Sequence, residues 1–399
     1  MSLWSKMKKR RVNPQLAHDL LAKANSELNN MQPINIMIAG KTGSGKSTLI
    51  NALFRENIAK TGVGLPITQE VQKLTKEGVP LTLFDTQGLE LSAEVQHDVL
   101  TSLSNLIKEE KAKGERHQLH LAYYCLNANM SRIETYEIDL LRALAKQLPV
   151  IIVLTQAIGE ETENFERYLQ ALDLPVEGIV PILAKDFQLQ KNHSIPAFGL
   201  QELIDMTLEV IPSQAHKAFI NAQRIDIQLK EQSAKSWAKT YVSSAFGVGF
   251  TPIPIADATL LVPMQITMLG HITAIFGLSL DKSQLLSMIA GVGGTGGVTL
   301  FGKFLVSSAL KVIPGVGTIT GGVISGATAS VLTVTLAYSY IEVLKRIALA
   351  EITGQDLKLI EIQKLMNQSF KEQLAIVSDT LPASIKTRFI PDWLEQFTI

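Results

Sequence analysis

The stretch Ile34-Asn35-Ile36-Met37-Ile38-Ala39-Gly40-Lys41-Thr42-Gly43-Ser44-Gly45-Lys46-Ser47-Thr48-Leu49-Ile50-Asn51-Ala52-Leu53-Phe54 decides the fold. An apolar run of strand length leads into G-x-x-x-x-G-K-S, and a helical-looking segment follows, which is the strand–loop–helix setting of a phosphate-binding P-loop. Glycines let successive backbone N–H groups turn toward an anion with no Cβ in the way. The helix that starts at the end of the loop aims its positive end at the same anion. Lys46 is placed to reach the β- and γ-phosphates of a nucleotide, and Ser47 to offer its hydroxyl to Mg²⁺. Gly40, Gly43, Ser44, Gly45 and Thr48 complete the cradle. A plain glycine-rich turn would explain neither the lysine nor the serine.

On the C-terminal side, residues 59–68 are punctuated by Gly62, Gly64 and Pro66 and show no helical or strand period, as expected of a mobile switch loop. Within it Thr68 is the candidate to bring a second hydroxyl to Mg²⁺ and its N–H to the γ-phosphate, with Thr61 as the fallback. Residues 80–84 then read as a buried strand ending in Asp85-Thr86-Gln87-Gly88. A carboxylate at that strand end can hold Mg²⁺ through water, and the Gly88 N–H can meet a γ-phosphate.

Further strands are expected at 120–126, 150–154 and 179–183, alternating with helices at about 93–113, 133–146, 162–172 and 200–210. That alternation implies an α/β unit with a mostly parallel sheet, helices on both faces and ligands at the carboxyl ends of the strands.

These motifs resemble those of the translation-factor-related GTPases, in particular the Era-like and immunity-related branch, whose P-loops read G-x-T-G-x-G-K-S-T with an Asn shortly after, here Asn51. The resemblance spans about residues 33–212 and implies GTP and GDP as ligands, with Mg²⁺ held by Ser47, Thr68 and Asp85. It carries the catalytic roles onto Lys46, Thr68, Gln87 and Gly88. Leu89 stands where Ras-like proteins keep a water-positioning Gln, so Gln87 and Glu90 are the polar candidates, and slow hydrolysis stimulated by self-association of the nucleotide domains is implied. Gly43 replaces the potassium-binding Asn of some relatives, so potassium activation is not expected. The base-reading motif [NT]-K-x-D corresponds to Thr155-Gln156-Ala157-Ile158, with Gln for the lysine and Ile for the aspartate; Ala184 and Lys185 correspond to the second base loop. GTP is the expected nucleotide, and ATP or relaxed specificity the alternative.

Lys+Arg and Asp+Glu balance at 37 each and the pI is about 7.1, so no global field favours nucleic acid. No DNA partner is expected, and an RNA- or ribosome-directed role is disfavoured for want of a basic stripe with interleaved aromatics in the C-terminal half. The single cysteine, Cys125, forbids an internal disulfide, fits a reducing compartment and reads as core packing. Residues 1–32 read as a basic tail and a helix from Pro14 to about Asn30, without the apolar stretch that would mark a secretion signal.

Beyond a charged helical connector at 213–241, composition changes sharply. From Ser243 to Ile341 there are only five charged residues and 15 of the 27 glycines. Uncharged stretches of 23 residues (258–280) and 30 residues (312–341) are long enough to span a bilayer. Asp257 and His271 read there as a helix cap and a packed imidazole. The expectation is an all-α, glycine-rich domain at 242–350, at the membrane or as a compact bundle, followed by amphipathic helices at 351–399. Its pattern resembles the YcjF-type domain of unknown function over about residues 235–350, and the basic Lys345 and Arg346 suit a cytoplasmic flank. A cytoplasmic protein at the inner face of the inner membrane is therefore expected.

Overall fold

A computed structural model describes residues 14–55, 63–66, 71–86, 93–190, 193–246, 258–291 and 326–379. They fall into two compact units, one of Asn29–Asp226 and one joining the described parts of Met1–Leu28 and Ile227–Ile399.

The first unit is built on a seven-stranded sheet. In chain order it contains β1 (Ile34–Ala39), α2 (Lys46–Leu53), β2 (Val63–Pro66), β3 (Val71–Thr75), β4 (Leu81–Thr86), α3 (Ala93–Ala112), β5 (Leu121–Asn127), α4 (Thr135–Ala145), β6 (Val150–Thr155), α5 (Glu160–Ala171) and β7 (Gly178–Ile182). A separate hairpin, β8 (Phe187–Gln190) and β9 (His193–Ile195), precedes α6 (Leu200–Val210) and α7 (Ser213–Ala222). The sheet order is β2-β3-β4-β1-β5-β6-β7. β4, β1, β5, β6 and β7 are parallel, while β2–β3 and β3–β4 are antiparallel. β1 and β6 are buried at every position, which is why both read as largely apolar runs rather than alternating ones; the buried Asn35 of β1 donates its amide to the carbonyls of Arg116 and Gln118.

Two strands depart from the sequence reading. Residues 63–66, expected within a loop, form β2 at the sheet edge, where Pro66 removes no donor needed by a central ladder. β3 gave no apolar alternation because Lys73 occupies it; its ammonium lies 5.2 Å from the Phe84 ring centroid, and Lys73 pairs in register with Phe84. The Glu110 carboxylate is buried beside it, ringed by Lys73, Lys113 and His117.

The chain leaving this unit is bonded to the end of α2. Phe54 and Gln223 form an antiparallel bridge; Arg55 donates its backbone N–H to the Ala222 carbonyl, and Arg224 donates to that of Leu53, both at 3.0 Å. Phe54 and Phe219 meet edge to face with centroids 6.3 Å apart. The first helix of the expected connector, α7, thus packs with the sheet unit.

The second unit gathers α1 (Pro14–Asn30), whose residues through Leu28 belong to it, with α8 (Ile227–Phe246), α9 (Ala258–Phe276), α10 (Lys282–Gly291), α11 (Gly326–Thr353) and α12 (Leu359–Asp379). Leu16, Ala17 and Leu20 of α1 share one core with Ala234, Ile272, Leu344 and Phe370, so the N-terminal helix is part of this bundle rather than a separate leader to the sheet unit. Gly270 is the close-approach point, since a Cβ there would lie 2.9 Å from the Lys23 side chain and 3.1 Å from the Ala24 backbone nitrogen. Beside it His271 stacks on Trp237 at 3.9 Å and contacts Glu27 Oε2 at 3.0 Å, as a packed imidazole. Asp257 lies outside the described residues.

No helix among the described residues is long and apolar enough to cross a membrane. Over the first candidate span, α9 carries Gln265, His271 and Thr273 and buries Met268, Leu269, Ile272 and Phe276 in the bundle core. Of the second candidate span, residues 312–325 lie outside the described residues and the remainder begins α11.

Candidate nucleotide site

β1 ends at Ala39 and the loop that follows is shaped by glycine. At Gly40, φ is +140°, and a Cβ there would run into the Cys125 carbonyl oxygen and stand 2.8 Å from Ser44 Oγ. Gly45 caps α2 in the left-handed region at φ 85°, so the helix N-terminus opens directly from the loop. The turn is closed by the Ser44 N–H donating to the Lys41 carbonyl at 3.1 Å.

Lys46 Nζ donates to the carbonyls of Gly40 at 2.7 Å and Lys41 at 3.0 Å, which keeps the ammonium over the loop. Next to β1, Asp85 sits opposite Ile38 in the parallel register. Asp85 Oδ1 and Ser44 Oγ are buried and find no hydrogen-bond partner among the described residues. Burial raises the Asp85 carboxyl above its ordinary range, against the opposing pull of the Lys46 charge. A lysine ammonium, a helix N-terminus and two orphaned buried oxygens at one sheet end fit a phosphate accompanied by a hydrated divalent cation. Ser47 and Thr48, at the start of α2, are exposed.

Thr155 ends β6. Its hydroxyl lies 2.6 Å from the Ser44 carbonyl and 3.2 Å from that of Leu126, so it braces the P-loop against two strands. Gln156 follows, exposed, at φ 54° in the left-handed region, with Oε1 3.4 Å from Asn129 Nδ2. Asn129 stands in the 3₁₀ turn Ala128–Met130 after β5, and its N–H donates to Asn127 Oδ1 at 3.0 Å. The Ala157 N–H donates to the Ile182 carbonyl at 3.1 Å, fixing the register of the loop that ends in Ile158. Ala184 and Lys185 follow β7 at the same sheet end, Lys185 exposed. Thr68, Gln87 and Gly88, with Thr61, Leu89 and Glu90, lie outside the described residues.

Several residues around the site had not been singled out from sequence. Lys41 Nζ bonds Glu134 Oε1 at 2.7 Å and lies 3.2 Å from Glu137 Oε2, while the Tyr124 hydroxyl donates to Glu137 Oε1 at 3.1 Å. Desolvation lowers the Lys41 pKa, but the bonds to Glu134 and Glu137 outweigh it and the net shift is upward. The sequence signal was the Glu134-x-x-Glu137 spacing, which forms a capping box on α4. Cys125 is fully buried, with its thiol pushed up to about 12 by burial, so it packs rather than reacts.

Residues 35–156 match the family model described as 50S ribosome-binding GTPase, and residues 214–372 match the domain of unknown function DUF697. Human septin-9 (Homo sapiens) is 24% identical over 220 residues, covering 48% of this chain and 36% of the septin. The tRNA modification GTPase MnmE of Ureaplasma parvum serovar 3 is 24% identical over 197 residues, covering 48% of this chain and 42% of MnmE. The chain thus spans well under half the length of these curated relatives. Among solved structures, a probable GTP-binding protein engB is 16% identical, with 44% of this chain and 97% of that chain covered and a TM-score of 0.32.

Proposed function

We propose that this chain, a P-loop GTPase fold followed by a helical C-terminal region, binds GTP and GDP with Mg²⁺ and hydrolyses GTP slowly. The observation that carries the reading is the pairing of Lys46, held over the loop carbonyls, with the partnerless buried oxygen of Asp85 on the adjacent strand. The loop N–H groups and Lys46 bind the phosphates; Ser47, Asp85 and Thr68 hold Mg²⁺, which when bound neutralises the charge on the transferred phosphoryl group. Thr68 and Gly88 engage the γ-phosphate, and Gln87 or Glu90 orients water, completed by a second nucleotide domain on self-association.

The nucleotide state acts on the helical unit through the chain that joins them, because residues 222–224 are bonded to the end of the P-loop helix. Equilibrium binding of fluorescent GTP, GDP and ATP tests the reading. Binding of GTP and GDP that disappears in Lys46→Ala supports it, and ATP bound better than GTP sinks the GTPase assignment. An inner-membrane location on the cytoplasmic side belongs to the same proposal and is tested by liposome flotation. A second reading, action on the ribosome, is favoured by the description of the family matched at 35–156, and cosedimentation with 50S particles decides it.

A further inference from the structure

The base-side loop of this site has Ile158 where a guanine reader carries a carboxylate, with the carboxamides of Gln156 and Asn129 beside it. Guanine presents two donors on one edge, the ring N1–H and the 2-amino group, and reading them together requires an acceptor pair. Ile158 has none, and the Ala157 N–H bonded to the Ile182 carbonyl at 3.1 Å prevents the loop from slipping to bring another residue into that place. Two of the carboxylates nearby are engaged and two stand in solvent. Asp186 Oδ1 accepts the Ala197 N–H at 2.9 Å, Glu134 is held by Lys41, and Glu160 and Glu161 stand exposed in the first turn of α5.

What the loop does offer is Gln156. It directly follows Thr155, which is bonded to the P-loop, so its place beside the phosphate cradle is set by the backbone. Its left-handed backbone at φ 54° is uncommon for a residue with a Cβ and is held by bonds at the residues on either side. Asn129 reaches its side-chain oxygen at 3.4 Å, from a turn pinned by Asn127. With Oε1 facing the Asn129 amide, the Gln156 Nε2 group is left as a donor, which a 6-keto oxygen accepts and a 6-amino group does not.

We propose that Gln156, positioned by Asn129, reads the purine 6-position and that the guanine 2-amino group goes unread, so that the site accepts hypoxanthine and guanine nucleotides alike. The inference rests on the nucleotide reading above. A site built around a hydrogen-bonding partner rejects an analogue lacking the matching group by as much as about 10⁴-fold; without the acceptor that source of discrimination is absent.

The test is equilibrium binding to the full chain with Mg²⁺, comparing GTP with inosine triphosphate, which lacks only the 2-amino group, and with CTP as the pyrimidine control. Affinities for GTP and inosine triphosphate within about threefold are expected, with CTP at least tenfold weaker. Gln156→Ala weakens both purine nucleotides together by at least about fivefold without shifting the melting temperature, and Asn129→Ala does so to a lesser degree. A larger GTP preference over inosine triphosphate, or CTP bound less than tenfold more weakly, overturns the inference while leaving nucleotide binding intact. So does unchanged affinity in Gln156→Ala. Binding of none of the nucleotides overturns both this inference and the reading beneath it.

Discussion

Arg55 Nη2 donates to Asn221 Oδ1 at 3.0 Å, tying the residue that leaves the P-loop helix to the last turn of α7. The same nitrogen donates to the Gly78 carbonyl at 2.6 Å, in the turn between β3 and β4, and Asn221 is fully buried. Gln223 then closes the exit, accepting the Asp226 N–H at 2.8 Å and donating to the Asp226 carbonyl at 3.0 Å.

If this junction relays nucleotide state, hydrogen exchange at residues 221–226 slows when GTP binds, and Arg55→Ala removes that response. Loss of charge-assisted hydrogen bonds also lowers stability by about 1.5–3 kcal/mol. Equal protection with and without nucleotide in the unmodified chain would sink the relay.

Thr155→Val keeps the side-chain volume but deletes the hydroxyl that meets the Ser44 carbonyl. An unsatisfied buried acceptor costs about 1–3 kcal/mol, and GTP affinity falls because the loop is no longer held. Chemical denaturation and titration measured on one preparation check both effects.

Asp85 is raised by burial, so its folded form holds a proton more tightly than the unfolded chain does. Its contribution therefore favours folding below the ordinary carboxyl value of 3.8 and is lost as pH rises through the folded pKa. Asp85→Asn therefore melts higher than the parent at pH 7 without nucleotide, by a margin that vanishes below pH 3.8, while Mg²⁺-dependent GTP binding is lost. A lower melting temperature at pH 7 would contradict a carboxylate destabilised by burial.

Glu27 shifts the other way. Burial raises it, but bonds to Lys23 and His271 prevail and the net pKa is lowered. Its stabilising contribution is present above the ordinary value of 4.5 and is lost as pH falls through the folded pKa. Glu27→Gln should be less stable than the parent at pH 6, the gap closing in acid, whereas Gly270→Ala loosens α1 at every pH because its Cβ meets Lys23 and Ala24. Urea denaturation from pH 3 to 6 separates the two.

Hydrolysis completed by a second nucleotide domain predicts that turnover per molecule rises with protein concentration. A rate that stays constant across a hundredfold dilution argues for a water-positioning group within one chain.

What the sequence disclosed follows from which residues speak for themselves. β1, α2 and β6 were legible because a strand buried on both faces is mostly apolar and the loop glycines have few other uses. β3 was not, because Lys73 covers Phe84 with its apolar stem while reading as a surface charge. The 258–280 run illustrates the opposite ambiguity: Met268, Ile272 and Phe276 would suit lipid and a protein core equally well, and only packing tells them apart. Asn129 was silent because its place beside Gln156 comes from a turn after β5, not from any spacing in the base motif.

The membership of α1 in the helical bundle has a consequence for biosynthesis. Leu16, Ala17 and Leu20 leave the ribosome ahead of the nucleotide unit, yet the partners that cover them, from Ile227 to Phe370, arrive only after that unit has been made. The nucleotide unit can close while the nascent chain is still growing, whereas the apolar face of α1 is covered only once the later helices of its core have been made.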